Sequence, residues 1–405
     1  MATHAAFTKE IVIIEDAAKD TRFSEGMTWP DTKTALCLPV LQPDNTCYAV
    51  LELYKTNLDL ANIDTPHGLA ATSGHSVNVK DVYSDGRFHK EVDSVSGAIV
   101  RSVLCIPLRD KIGVIGKFLI YLSRFEWYVE SDCKDQIPEL VFYMIKRIPG
   151  GDRLDSYVLS EFILSVLEAY RDNPYHNAEH AFIFTHTMYN MLTRNAEKFT
   201  KIEGLALIIG GFCHDVDHPG FNNSYLVESK HPLAAMYTDS ILENHHFFVT
   251  QKMLSDKGVL SDFTDDEIKE IIDEIRYNIL CTDLAIHFRI RAQMAPIVGD
   301  GSFDWSNPQH KKLIKSIMMT SCDLAVQAKP FTIVKKITEK LYEEFYNQGD
   351  LEREMGYTPL SMMDRTKSSN QATEQIQFLQ IVVLPCLLLL QAVLAGTSPM
   401  TDFCM

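Results

Sequence analysis

The chain has 405 residues, of which 46% are hydrophobic and 23% charged, so it can bury a large core and is neither disordered nor fibrous. Its formal net charge of −16 excludes nucleic acid or an anionic membrane as the main partner, because both need a basic surface, and an anionic substrate would have to meet cations supplied locally. Nine cysteines carry no CxxC pair or regular framework, which argues for reduced thiols in the cytoplasm and against a disulfide scaffold.

At the N-terminus, "MATHAAFTKEIVIIED" sets Lys9, Glu10, Glu15 and Asp16 where a secretory signal needs its apolar centre, so no export is expected. A tandem repeat follows. "EDAAKDTRF" (15–23) and "KDVYSDGRF" (80–88) share Asp-x3-Asp-x-Arg-Phe, and each precedes a second matching element, "ALCLPV" (35–40) and "VLCIPL" (103–108), at offsets of 65 and 68 residues. Strand-like runs, "CYAVLELY" (47–54) and "VIGKFLIYL" (114–122), end the two copies, with Pro43-Asp44-Asn45 and Arg109-Asp110-Lys111 as hairpin turns. Two short α+β units, 1–60 and 61–125, are therefore expected. The pattern resembles the later half of a GAF domain, a small-molecule sensor module, over residues 10–57 and 66–122. That resemblance places Asn78, Lys80, Phe88, Glu91 and Asp93 near a bound cyclic nucleotide. Each copy lacks the early helix and strands of such a module, so scaffolding or homodimerisation is expected as readily as ligand binding.

From about residue 126 the texture becomes helical, as in "LSEFILSVLEAY" (159–170) and "EIKEIIDEIRYNIL" (267–280), and one all-α domain over 126–405 is expected. In "NPYHNAEHAF" the sequence predicts Asn173 as a cap with Pro174 at the first helical position, which puts His176 and His180 four apart on one helix face. Taken alone, the pair reads as ordinary surface or core-edge histidines. "GFCHDVDHPG" follows an apolar helix that Pro219-Gly220 is expected to end, and two acids at a helix C-terminus oppose the macrodipole unless a cation is present. A solvated turn accounts for Asp217. In "KSIMMTSCDLAV", Asp323 interrupts an apolar helix, and a buried carboxylate needs a partner, either a salt bridge or something stronger. His180, His214, Asp215 and Asp323 together offer two nitrogens and two oxygens, a ligand set suited to zinc, and Asp215 can bridge to a harder second ion such as Mg²⁺. "FLQIVVLPCLLLLQAVLA" (378–395) is barely long enough to cross a bilayer and is interrupted by Pro385 and two glutamines, so a buried core helix is expected and no membrane span, with a tail anchor as the lesser alternative.

The segments "YHNAEHAF", "FCHDVDHPGFNNSYL", "LENHHF", "TSCDLAV", "EEFYNQGD" and "EQIQF" stand in the order found in class I 3′,5′-cyclic nucleotide phosphodiesterases, and the chain resembles that family over about 126–395. The resemblance implies a helical bundle of the HD superfamily and hydrolysis of cGMP, cAMP or both to 5′-nucleoside monophosphates by a metal-bridging hydroxide. It implies His180, His214, Asp215 and Asp323 as ligands of a divalent pair, Zn²⁺ with Mg²⁺ or Mn²⁺, and His176 as proton donor to the leaving oxygen. His218, Glu243 and His246 would support the waters on the ions. Gln375 and Phe378 would read and stack on the base, with Leu341 as the opposite jaw and Phe345 as the pocket floor. Val326 replaces the asparagine of strictly cAMP-selective members and weakly favours cGMP or dual use. The sequence departs from the family at Ala178 and Ser361, and it ends "GTSPMTDFCM" where relatives continue into a further helix, which is expected to leave the apolar helix at 378–395 exposed. Two alternatives stay open: another HD-superfamily phosphohydrolase, and a truncated non-catalytic protein that binds or dimerises through the GAF-like units.

Overall fold

The computed structural model describes five upstream strands, residues 122 and 124–129, and residues 131–404. Two compact units, Met1–Tyr121 and Leu122–Met405, make up the chain. In the first, β1 (Val12–Ile14), β2 (Thr32–Leu41) and β3 (Cys47–Thr56) form an antiparallel ladder in which Leu36 pairs with Leu53 and Pro39 with Val50. A second ladder joins β4 (Val77–Val79) to β5 (Val103–Cys105), with Asn78 opposite Leu104. "ALCLPV" and "CYAVLELY" thus lie in paired strands, and "VLCIPL" begins in one. Both hairpin turns, both Asp-x3-Asp repeats and Lys80, Phe88, Glu91 and Asp93 lie outside the described residues.

Among the described residues the second unit is entirely helical. Its principal helices are α1 (Ile137–Arg147), α2 (Ser156–Ala169), α3 (Ala178–Arg194) and α4 (Lys201–Phe212). After the short α5 (Asn223–Glu228) and α6 (Pro232–Met236) come α7 (Ile241–Lys257), α8 (Asp265–Leu280), α9 (Leu284–Gly299), α10 (Pro308–Asp323) and α11 (Phe331–Glu354). The chain closes with α12 (Gln371–Phe378), α13 (Leu384–Val393) and α14 (Ser398–Cys404).

The core is built on α4. A Thr200–Glu203 capping box starts this helix, and Leu205, Leu207, Ile208, Ile209 and Phe212 are all fully buried. A helix apolar on every side has no solvent face, and each such side chain contributes roughly 1.5–3 kcal/mol. α8 covers one flank with Ile271, Ile275 and Ile279, spaced by one turn, and α3 covers another. Gly211 permits that second approach, since a Cβ there would lie 2.5 Å from Cε1 of Phe184 on α3.

The segment Arg365–Val393 is long and apolar enough to cross a membrane by length and composition. It is not one uniform α-helix: Leu379–Val383 forms a π turn between α12 and α13. Pro385 has no N–H to give the carbonyl of Ile381 four residues back, and Arg291 Nη1 on α9 donates to that oxygen at 2.5 Å. Val382 and Val383 in the turn and Cys386, Leu387 and Leu390 downstream of it are buried, and α13 packs against α9 and α10. The expectation that this apolar helix lies uncovered holds only in part. α14 folds onto α13 and onto the turn 324–328, burying Met400 and Thr401, while Ile381 and Leu388 stay exposed.

Candidate metal centre and active site

Three helix ends converge beside the core. α3 supplies His180 from its first turn. Asn177 caps this helix, its Oδ1 accepting from the backbone N–H of Glu179 at 2.9 Å and of His180 at 3.3 Å. The helix therefore starts at Ala178, not at Pro174 as expected. The amide of Asn173 is engaged elsewhere, donating to the carbonyls of His176 at 2.9 Å and His218 at 2.8 Å. His176 accordingly projects from a loop, with its ring stacked on that of His218 at 4.1 Å, and does not share a helix face with His180. α4 also stops earlier than Pro219-Gly220, at Phe212, and His214, Asp215 and His218 follow in successive turns.

Asp323, the last residue of α10, completes the cluster. His180 Nε2 lies 3.1 Å from His214 Nε2, 3.0 Å from Asp323 Oδ1 and 3.5 Å from Asp215 Oδ2. His214 Nε2 is 3.1 Å from Asp215 Oδ2 and 3.6 Å from Asp323 Oδ1. Donors held about 3.0–3.6 Å apart suit a common ion with bonds of about 2.1 Å, and the mixed imidazole and carboxylate set suits zinc. The other ring nitrogen of His214 donates to the carbonyl of Gly211 at 2.8 Å, which aims Nε2 at the cluster. Phe184 packs against the same ring at 4.2 Å. The second oxygen of Asp215 faces His246 Nε2 at 3.7 Å, and Asp215, His218 and His246 form a further group with metal-ligand spacing.

The electrostatics follow from burial against charge. Burial opposes protonation of His214, yet Asp215 and Asp323 outweigh it and raise the imidazole to about 10. Burial likewise opposes the charge on Asp323, and His180 and His214 hold it down to about 2. Burial pushes His246 down to about 4, and burial with neighbouring His176 keeps His218 well below its ordinary range. Glu243 rises to about 7 through burial and the nearby Asp283.

A cleft of about 310 Å³ opens over the cluster. It brings together His176, Asp215, His218, Glu243, His246, Asp323 and Phe345. Leu341, Gln375 and Phe378 are half-buried on α11 and α12 and are not among its lining residues; the Gln375 amide meets the phenol of Tyr342. Val326 is buried beside His180, Tyr175 and Ile337 at a separate small cavity.

Sequence reasoning missed Glu344. Its carboxylate accepts from the backbone N–H of Tyr175 at 2.9 Å and of His176 at 3.1 Å, and pairs with His176 Nδ1. Against the cost of burial, this carboxylate raises His176 to about 9. A signal existed: Ile337, Leu341, Glu344 and Gln348 recur at helical spacing on α11, so a carboxylate and an amide occupy the inward face of an amphipathic helix.

Residues 175–404 match the family described as 3′5′-cyclic nucleotide phosphodiesterase. The chain is 28% identical to "Probable 3′,5′-cyclic phosphodiesterase pde-5" of Caenorhabditis elegans over 83% of its own length and 57% of the relative's. It is 36% identical to "cGMP-specific 3′,5′-cyclic phosphodiesterase" of Drosophila melanogaster over 68% of its length and 25% of the relative's. The chain thus spans between a quarter and about three-fifths of these curated relatives. Among solved structures it resembles the phosphodiesterase domain of the RhoPDE fusion protein from the choanoflagellate Salpingoeca rosetta, with TM-score 0.67 and 28% identity over 70% of this chain and 92% of that one. LmjPDEB1 in complex with IBMX gives TM-score 0.65 and 26% identity over 70% and 89%. With its helical unit carrying the matched residues, the chain belongs to the 3′,5′-cyclic nucleotide phosphodiesterase family.

Proposed function

We propose that this chain hydrolyses 3′,5′-cyclic nucleotides to 5′-nucleoside monophosphates and so ends a cyclic nucleotide signal. The observation that carries this reading is the convergence of His180, His214, Asp215 and Asp323 under a cleft that also exposes His176. These four residues would hold a zinc ion, and Asp215 would reach a second ion, magnesium or manganese, on the side of His218 and His246. When bound, such a pair supplies Lewis acidity that activates water and neutralises phosphate oxygens.

The chain's own residues do the rest. Glu344 holds the His176 imidazole at Nδ1, which leaves Nε2 to carry the proton given to the departing 3′-oxygen. His218, stacked on His176 and kept neutral by burial, accepts the Gly220 N–H at Nδ1 at 3.0 Å and so turns an Nε2–H donor to water, whereas His246, whose Nδ1 donates to the carbonyl of Val216 at 2.7 Å, presents Nε2 as an acceptor. Glu243 faces the same space, steadied by Asn223 at 3.1 Å. Phe345 would floor the base pocket, and α12 would bring Gln375 and Phe378 to the purine opposite Leu341. Val326, together with a relative named cGMP-specific, favours cGMP. We read the upstream strands as partial GAF-like units that scaffold or dimerise, and the Arg365–Val393 segment as a core helix of a cytoplasmic protein. The test is release of 5′-GMP and 5′-AMP by purified protein with metal analysis in parallel. Stoichiometric zinc with no turnover of either nucleotide overturns the reading.

A further inference from the structure

The turn that carries the metal-cluster residues contains a strained position with no role so far. Asp217 sits at φ +60°, a left-handed conformation that favours glycine and is held at a side-chain-bearing residue by its surroundings. Its carboxylate points away from the cluster and is gripped from two elements. Arg171, just beyond α2, donates through Nε at 2.7 Å to one oxygen, and His245 Nε2 on α7 lies 2.8 Å from the other. The backbone of the neighbouring residues is tied as well: the N–H of Asp215 reaches the Tyr170 hydroxyl at 3.4 Å, Val216 O accepts from His246, and His218 O accepts from Asn173. Within this turn, Asp217 is thus held by charge-bearing hydrogen bonds from both flanking segments, Arg171 on one side and His245 on the other.

We propose that Asp217 is a positioning residue: clamped between Arg171 and His245, it holds the turn 214–218 in the conformation that delivers Asp215 to the metal cluster and His218 to the ring of His176. The inference rests on the phosphodiesterase reading. Two bonds two residues beyond Asp215 and one before His218 set the direction of both side chains, because a left-handed residue reverses the local backbone path. Removing the grip lets position 217 relax and widens the distribution of Asp215. The loss therefore falls on metal affinity and turnover and spares the global fold. Supporting residues of this kind usually alter metal affinity or activity by about 10–100-fold.

The experiment compares Asp217→Gly, Asp217→Asn and the double variant Arg171→Ala/Asp217→Gly in the full chain, measuring zinc affinity by calorimetry, thermal midpoint, and kcat and KM separately. Glycine removes the strain along with the grip, so Asp217→Gly should keep its metal-free midpoint within a few degrees while zinc affinity falls about 10–100-fold and kcat falls with KM little changed. Asp217→Asn, which tolerates the left-handed region and keeps one acceptor, should recover part of both. The double variant should lose no more than Asp217→Gly, since the two residues act as one contact. Wild-type zinc affinity and kcat in Asp217→Gly, or fully additive losses in the double variant, overturn the proposal. If Asp217→Gly fails to fold, Arg171→Gln and His245→Asn carry the test, and wild-type zinc affinity in both overturns it. A wild-type chain that binds no divalent ion overturns both readings, whereas a wild-type enzyme indifferent to Asp217 overturns the positioning role alone.

Discussion

The carboxylate of Glu344 takes hold of His176 twice, accepting a hydrogen bond from its backbone N–H at 3.1 Å and pairing with its ring at Nδ1. One residue thereby fixes the position, tautomer and charge of the proposed acid. Because Glu344 is the main group that raises His176, with Asp215 and Asp323 adding to it, the acid is held protonated above the ordinary histidine range, and kcat/KM should decline on the alkaline side. Glu344→Gln removes the largest charge opposing burial and leaves only Asp215 and Asp323, so the alkaline limb should move to lower pH. A pH–rate profile checks this; an unmoved limb would mean that another group donates the proton.

His176→Ala should leave zinc content unchanged, since His176 lies outside the four-residue cluster. Turnover of cyclic nucleotide should drop by about 10²–10⁴-fold, the usual contribution of a positioned acid. A p-nitrophenyl phosphodiester, whose leaving group needs little protonation, should recover much of the deficit. Equal losses on both substrates would assign His176 to positioning.

Asp323→Ala should abolish zinc binding and activity together, as it removes one oxygen donor and leaves two imidazoles facing an unshared Asp215. Inductively coupled plasma analysis with an activity assay checks it. Retention of zinc would remove Asp323 from the ligand set.

Metal-stripped protein should show a stability profile of defined sign. His214 and His176 have folded-state values of about 10 and about 9, above the ordinary value of 6.5. Raised values bind protons more tightly in the folded state, so this stabilisation is complete below about pH 6.5 and lost as pH rises through 9 to 10. Zinc requires the neutral imidazole of His214, so zinc-loaded protein should keep more of its thermal midpoint over that range. Parallel melting curves for both forms, taken from pH 6 to 10, measure the difference.

Gly211→Ala should destabilise the fold by about 1–3 kcal/mol, since the added methyl would sit 2.5 Å from the Phe184 ring. That ring also backs His214, so zinc affinity should fall too. Combining the change with Phe184→Leu should restore part of the stability in denaturant titrations.

The cluster of His180, His214, Asp215 and Asp323 was legible because its residue types break local expectation: two imidazoles and two carboxylates at the ends of apolar helices are costly unless brought together. The start of α3 was not. Asn173 and Asn177 are equally good caps by composition, and the choice falls to a tertiary contact, the bond from Asn173 to the carbonyl of His218 some 45 residues away. Glu344 was hidden for a related reason: "EEF" on an amphipathic helix reads as solvated charge, and only the approach of the 173–177 loop shows which glutamate turns inward. The clamp on Asp217 joins segments 46 and 28 residues apart, beyond any local pattern.

The π turn at Leu379–Val383 carries a further consequence. Such a turn is a helix holding one surplus residue, and that residue advances the phase of everything beyond it by about 100°. Upstream of it stand Gln375 and Phe378; downstream, Cys386, Leu387 and Leu390 anchor the helix in the core. The two halves behave as a cam whose angular offset is written in residue count. Losing a single residue between 379 and 383 would keep the anchor seated and swing the Gln375 amide away from Tyr342, so the length of this segment is constrained to the residue although none of its five side chains lines the cleft.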